Sequence, residues 1–162
     1  MSVQEPNVAE PESEREHTIT RVFEVPARIL YAAFSKPEHL LRWFGPKGFP
    51  LKECAVDFRV GGSYRFAMVS GDGKLLPAFG GTYLALEKNR LIRYSNRMEL
   101  PGAGVMIVTV SFEEHAGKTT LTQHTLFASV AMKQRHFGMG YEQGVAVSLE
   151  QLREYTAALE QP

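Results

Sequence analysis

A single amphipathic helix signal closes this chain, and the long stretch before it reads almost entirely as strands. Between Met132 and Leu159, side chains suited to burial fall at Tyr141, Val145, Ser148, Leu152, Tyr155 and Leu159. Steps of three and four residues place them on one helical stripe, which must be covered by another layer. From Phe49 to Ala128 the chain is rich in β-branched and aromatic residues, interrupted by turn formers. The expected cover is therefore the concave face of an antiparallel sheet, and a helix gripped by a curved sheet can enclose a cavity. Gly138, Gly140 and Gly144 cluster near the start of the helix. Glycine is unfavourable inside helices, so the cluster predicts close backbone approach or a kink there.

Six strands are expected after Phe49, over 51–58, 64–69, 79–87, 91–98, 105–113 and 119–127. Separators as short as Lys88-Asn89-Arg90 and Ala116-Gly117-Lys118 force neighbours to run antiparallel, which gives a meander. His17 to Val25 supplies an earlier strand, for about seven in all. Two short helices follow it. Pro26 is suited to open the first, with Ile29, Leu30, Ala33 and Phe34 on one face. Ser35 and Glu38 have the capping-box spacing for the second, which Gly45-Pro46 ends.

Alternation assigns the inward faces. Tyr64, Phe66 and Met68 share one; so do Ile92, Tyr94, Asn96 and Met98, then Met106, Val108, Val110 and Phe112, and finally Leu121, Gln123, Thr125 and Phe127. Asn96, Gln123 and Thr125 thus stand among apolar neighbours, where an unpaired amide or hydroxyl costs a few kcal/mol. They need each other, water or a ligand. Over 79–87 the parity is ambiguous between Tyr83 and Leu84.

Composition narrows the function. Lysine plus arginine equals aspartate plus glutamate at 18 each, so no broad field favours nucleic acid or anionic lipid. The lone Cys54 can form no intrachain disulfide, and no apolar run approaches the ~18 residues of a membrane span. Residues 1–16, rich in Glu, Pro and Ser, read as a disordered tail without the marks of a secretory signal, and 17–160 as one domain of a cytoplasmic protein. The five histidines are scattered at no metal-ligand spacing, and no nucleophile motif is present. Neither metal nor cofactor is expected.

The string VPARILYAAFSKPEHLLRWFGP, then Val60-Gly61-Gly62-Ser63-Tyr64-Arg65-Phe66, resembles the START-like superfamily. The similar branch is the one named for the activator of the ninety-kilodalton heat-shock protein ATPase. Gly81-Thr82-Tyr83, Arg90-Leu91-Ile92-Arg93-Tyr94, Gly117-Lys118-Thr119-Thr120-Leu121 and Gly140-Tyr141-Glu142-Gln143-Gly144 continue the pattern in order, from about Thr18 to Leu159. The resemblance implies an α+β helix-grip fold, a curved antiparallel sheet around a long C-terminal helix with two short helices after strand one. It also implies a cavity for hydrophobic or amphipathic ligands, as in lipid carriers, plant hormone receptors and polyketide cyclases. A chaperone-related module is a weaker implication: the eukaryotic activator carries a further domain ahead of this one, where about sixteen tail-like residues stand here.

The expected function is binding of a small apolar or amphipathic ligand between sheet and helix. Phe34, Phe66, Met68, Tyr94, Asn96, Gln123, Thr125, Phe127, Tyr141, Val145 and Ser148 are the candidate cavity residues. No catalytic residue is assigned. The alternatives are a cyclase-like or hydrolase-like enzyme using Tyr94, Tyr141 and Asn96 in the same cavity, or an interaction module.

Overall fold

The structure, a computed structural model, describes residues 10–159. Seven strands form one curved open sheet: β1 (Glu16–Phe23), β2 (Leu51–Val56), β3 (Ser63–Met68), β4 (Phe79–Glu87), β5 (Leu91–Met98), β6 (Met106–His115) and β7 (Lys118–Leu126). Across it the order is β1-β7-β6-β5-β4-β3-β2, and every neighbouring pair is antiparallel. The meander therefore runs in chain order, and the first strand joins beside the last, Ile19 opposite Gln123 and Phe23 opposite Thr119. Helices α1 (Ala27–Ala33) and α2 (Pro37–Trp43) follow β1; α3 (Val130–Gly138) and α4 (Tyr141–Leu159) follow β7. This is the expected α+β helix-grip architecture.

Alternation built the core as read. Met106, Val108, Val110 and Phe112 of β6 are all buried while Ile107, Thr109 and Ser111 are less so. On β4 the ambiguity has a physical cause. The β4–β5 register shifts between Tyr83 and Ala85, and such a bulge resets the parity of everything beyond it. Tyr83 faces the core at 4% exposure, whereas Leu84 points outward at 45%.

Four expectations are corrected. Ser35 does not cap α2: its hydroxyl donates to the Ala32 carbonyl at 2.7 Å, finishing α1, and the N-cap of α2 is an extended Lys36 with no side-chain cap. The terminal helix is two helices. Gly140, at φ 89°, adopts a left-handed backbone open to glycine, and the chain turns there between α3 and α4. Along α4 the fully covered positions are Leu149, Leu152 and Thr156, while Leu159 is 45% exposed, so the buried stripe drifts off the expected Tyr155–Leu159 line. The tail is ordered in part. Of the expected 1–16, residues 1–9 lie outside the described residues, but Glu12–Glu14 form a 3₁₀ turn, and the Arg15 guanidinium donates to the carbonyls of Glu10 (3.0 Å) and Phe127 (2.7 Å).

Hydrogen bonds tie the helices to the sheet and to one another. The first free amide of α1, on Ala27, donates to Glu114 Oε1 of β6 at 2.9 Å, so a distant strand caps this helix. At the other end, Trp43 Nε1 donates to the Ala33 carbonyl (2.9 Å), closing α2 on α1. The Gln151 amide on α4 then donates to the carbonyls of Trp43 (2.7 Å) and Gly45 (2.6 Å). The middle of α4 is thereby tied to the end of α2.

Candidate functional site

Between the concave sheet face and the first half of α4 lies a cavity of about 260 Å³. Phe34, Trp43, Phe44 and Pro46 wall the end near α1 and α2. The sheet contributes Met68 (β3), Phe79 (β4), Tyr94, Asn96 and Met98 (β5), Met106 and Val108 (β6) and Gln123 (β7). His136 of α3 and Tyr141, Gly144, Val145, Ser148 and Leu149 of α4 form the roof. A Cβ built at Gly144 would meet nothing nearer than Pro46 Cγ at 4.0 Å, so a small side chain would fit there.

Eight of the eleven residues named from the sequence line this space: Phe34, Met68, Tyr94, Asn96, Gln123, Tyr141, Val145 and Ser148. Phe66 does not; with Tyr64, Tyr83 and Ile92 it surrounds a separate void of about 20 Å³ that also touches Tyr94. Thr125 and Phe127 are fully buried behind the roof. The Thr125 hydroxyl lies 2.6 Å from that of Tyr141, and the Phe127 ring meets the Tyr141 ring edge-on at 5.3 Å between centroids. Met98, Met106 and Val108 share inward faces that the alternation identified, yet parity does not tell how far along each strand the helix reaches. Trp43, Phe44, Pro46 and Phe79 join the wall through tertiary packing for which alternation carries no signal.

Among the described residues no Lys, Arg, Asp or Glu lines the cavity. Its titratable groups are neutral by environment. Burial, with a smaller contribution from Arg135, pushes the His136 imidazole below its ordinary value. Burial likewise pushes the Tyr94 phenol well above the usual tyrosine range, so its proton stays. Protein surrounds Tyr94 on every side, but part of it faces the hollow, which is why its surface is only half-buried. Among the described residues its hydroxyl has no hydrogen-bond partner. Tyr141 is also raised by burial, an effect opposed by hydrogen bonding from Thr125 and from the Gln123 amide. Asn96 is engaged from behind by Tyr64, whose hydroxyl donates to the Ser95 carbonyl (2.9 Å) and to Asn96 Oδ1 (3.0 Å).

Other chemistry is not assembled. Among the described residues no group of three or more His, Cys, Asp and Glu side chains is placed to hold a metal ion, and no helix is long and apolar enough to cross a membrane. Burial pushes the Cys54 thiol up to about 11, which leaves it protonated and unreactive at neutral pH. His124, on the opposite face from Gln123 and Thr125, pairs with Glu16 at 2.7 Å near the surface. His39 meets the Tyr155 hydroxyl at 2.6 Å away from the cavity.

A curved antiparallel sheet gripping a C-terminal helix over an apolar hollow defines the START-like class of cavity proteins. The sequence places the chain within one branch of it. This protein belongs to the family described as Activator of Hsp90 ATPase homolog 1-like protein, whose profile matches residues 24–157. Among solved structures, one from Chromobacterium violaceum is 30% identical, with a TM-score of 0.70 over 86% of this chain and 95% of that one. One from Nitrosomonas europaea shares the fold at a TM-score of 0.83 and 22% identity, over 93% of this chain and 99% of the other. A structure from Silicibacter pomeroyi that carries the same family name has a TM-score of 0.73 at 24% identity, over 90% and 99% of the two chains. No curated protein sequence matches the chain.

Proposed function

We propose that this protein binds a small, largely apolar ligand in the cavity beneath α4. The observation that carries the proposal is a hollow of about 260 Å³, partly open to the surface, whose wall is mostly Phe, Trp, Met, Val and Leu, with a few neutral polar groups among them. Ligand pockets have this composition, at roughly 300–1,000 Å³ for drug-sized molecules. The hollow is thus at the small end. An engineered apolar cavity of about 150 Å³ holds one benzene ring, so a molecule of one or two rings suits this one better than a diacyl lipid. Binding is favoured over catalysis because Tyr94 and Tyr141 keep their protons and His136 is held neutral without a partner that would orient it as a base.

The test is thermal unfolding of the purified protein with naphthalene, together with mass spectrometry of an organic extract for copurified small molecules. A ligand at a hundredfold excess over its Kd stabilises by about 2.7 kcal/mol. For a chain of this size that raises Tm by about 5–10 °C. Val108→Trp, which places an indole in the hollow, is expected to abolish the shift. A shift retained in that variant, or none with any one-ring or two-ring compound, would sink the proposal.

A further inference from the structure

The polar groups on the cavity wall distinguish one kind of ligand from another, a distinction that rests on the binding reading above.

Thr125 is fully buried, and among the described residues the one side chain its hydroxyl meets is Tyr141, at 2.6 Å. Either oxygen could supply the proton. If Tyr141 supplied it, the Thr125 proton would be left in the core with no acceptor, which buried polar groups avoid. Thr125 therefore donates, and the Tyr141 oxygen accepts. With its oxygen so occupied from behind, Tyr141 has its own O–H free, and Tyr141 lines the hollow.

Tyr94 reaches the same condition by another route. Its ring is fixed edge-on against Tyr64, at 5.4 Å between centroids, and its hydroxyl has no partner among the described residues. Both phenols hold their protons because burial disfavours the phenolate. Two O–H donors, one from the sheet and one from the helix, thus face a cavity on whose wall no described residue is charged. An anionic ligand would find no cation, and burying its charge unpaired is strongly unfavourable. A pure hydrocarbon would leave both donors unmet.

We propose that the cavity selects an uncharged, ring-containing ligand with a carbonyl oxygen, which accepts hydrogen bonds from Tyr94 and Tyr141 while its apolar body rests on Met68, Met98 and Met106. The three methionines suit that role, because their unbranched thioethers adapt to varied ring shapes.

Three naphthalenes of nearly equal size test this by calorimetric titration of the full chain: ethylnaphthalene, acetylnaphthalene and naphthoate. Acetylnaphthalene is expected to bind about tenfold more tightly than ethylnaphthalene, the worth of one to two net hydrogen bonds. Naphthoate is expected to bind at least about a hundredfold more weakly than the ketone. Tyr94→Phe should reduce ketone affinity about fivefold and leave ethylnaphthalene unchanged. This variant removes no bond within the protein, so its folding is not in question; Tyr141→Phe should act alike, with a denaturation midpoint measured alongside. Equal binding of ketone and hydrocarbon, preference for naphthoate, or a Tyr94→Phe loss shared by all three compounds would overturn the assignment. If the hydrocarbon binds and the ketone gains nothing, the carbonyl preference alone falls. If none binds, the cavity-binding reading fails and takes this one with it.

Discussion

Ser148→Leu asks directly whether the space under α4 is a real cavity. Ser148 is on the roof, half-buried, and among the described residues its hydroxyl has no side-chain or long-range backbone partner, so deleting that hydroxyl orphans nothing. Leucine places about three apolar groups where a hydroxyl and empty space stood. At about 0.8 kcal/mol per buried CH₂ the gain is about 2 kcal/mol. Better helix propensity adds a few tenths of a kcal/mol, and lost rotamer freedom subtracts about 0.5–1. The net expectation is a stabilisation of about 1–2 kcal/mol, or about 3–6 °C in Tm for a chain of this length. The same side chain takes a large part of the 260 Å³, so naphthalene binding should be lost as stability rises. Urea unfolding followed by circular dichroism measures the first effect, and the naphthalene thermal shift the second. Had α4 already closed onto the sheet, leucine would overpack and destabilise by about 1–3 kcal/mol. That result, or stabilisation with naphthalene binding unchanged, would refute the reasoning.

Gly140→Ala should destabilise by about 1–2 kcal/mol in urea, because any side chain is strained at φ 89°; space is not the obstacle, since the nearest atom is 3.9 Å away. Glu114→Ala removes the acceptor for the Ala27 amide and should cost about 1 kcal/mol, with Glu114→Gln recovering most of it. His136 and His17 give a pH signature. Burial lowers both imidazoles below the ordinary 6.5, so the unfolded chain binds more protons just under that value. Their contribution is therefore complete above about pH 6.5 and is lost as pH falls through the lowered folded values, and His136→Asn should flatten the fall in urea midpoint between about pH 7 and 5.

The strands were legible because alternation is local. Each β6 side chain declares its face through its neighbours two residues away, and the inward set Met106 to Phe112 needs no knowledge of the partner strand. What failed depends on pairing. The bulge at Tyr83 exists only relative to β5, so the β4 sequence alone could not choose between Tyr83 and Leu84. Ser35 has the right spacing to cap α2, but the same hydroxyl reaches the end of α1, and spacing cannot decide between two nearby helix ends. Three close glycines announced a kink or a close approach, and the kink is what occurs: Gly140 turns the chain, while no atom lies closer than 3.9 Å to a Cβ built at any of the three. The polar residues on the inner face divided as buried polar groups must. Asn96 found Tyr64, Thr125 found Tyr141, and Gln123 was left on the cavity wall.

The cavity itself follows from unequal anchoring of one rigid rod. In its second half α4 is held by Leu149, Leu152 and Thr156, each almost wholly buried, and by Gln151 on the carbonyls of Trp43 and Gly45. From Tyr141 to Ser148 no side chain is fully buried, and the positions facing the sheet include a glycine and a serine. A helix bends only gently, so small residues at that end leave a gap against the curved sheet. An unfilled hollow there forgoes packing contacts between helix and sheet. Larger side chains at Gly144 and Ser148 would recover some of them. On the binding proposed above, a ligand present at about a thousand times its Kd would return about 4 kcal/mol, so occupancy would offset the missing side chains.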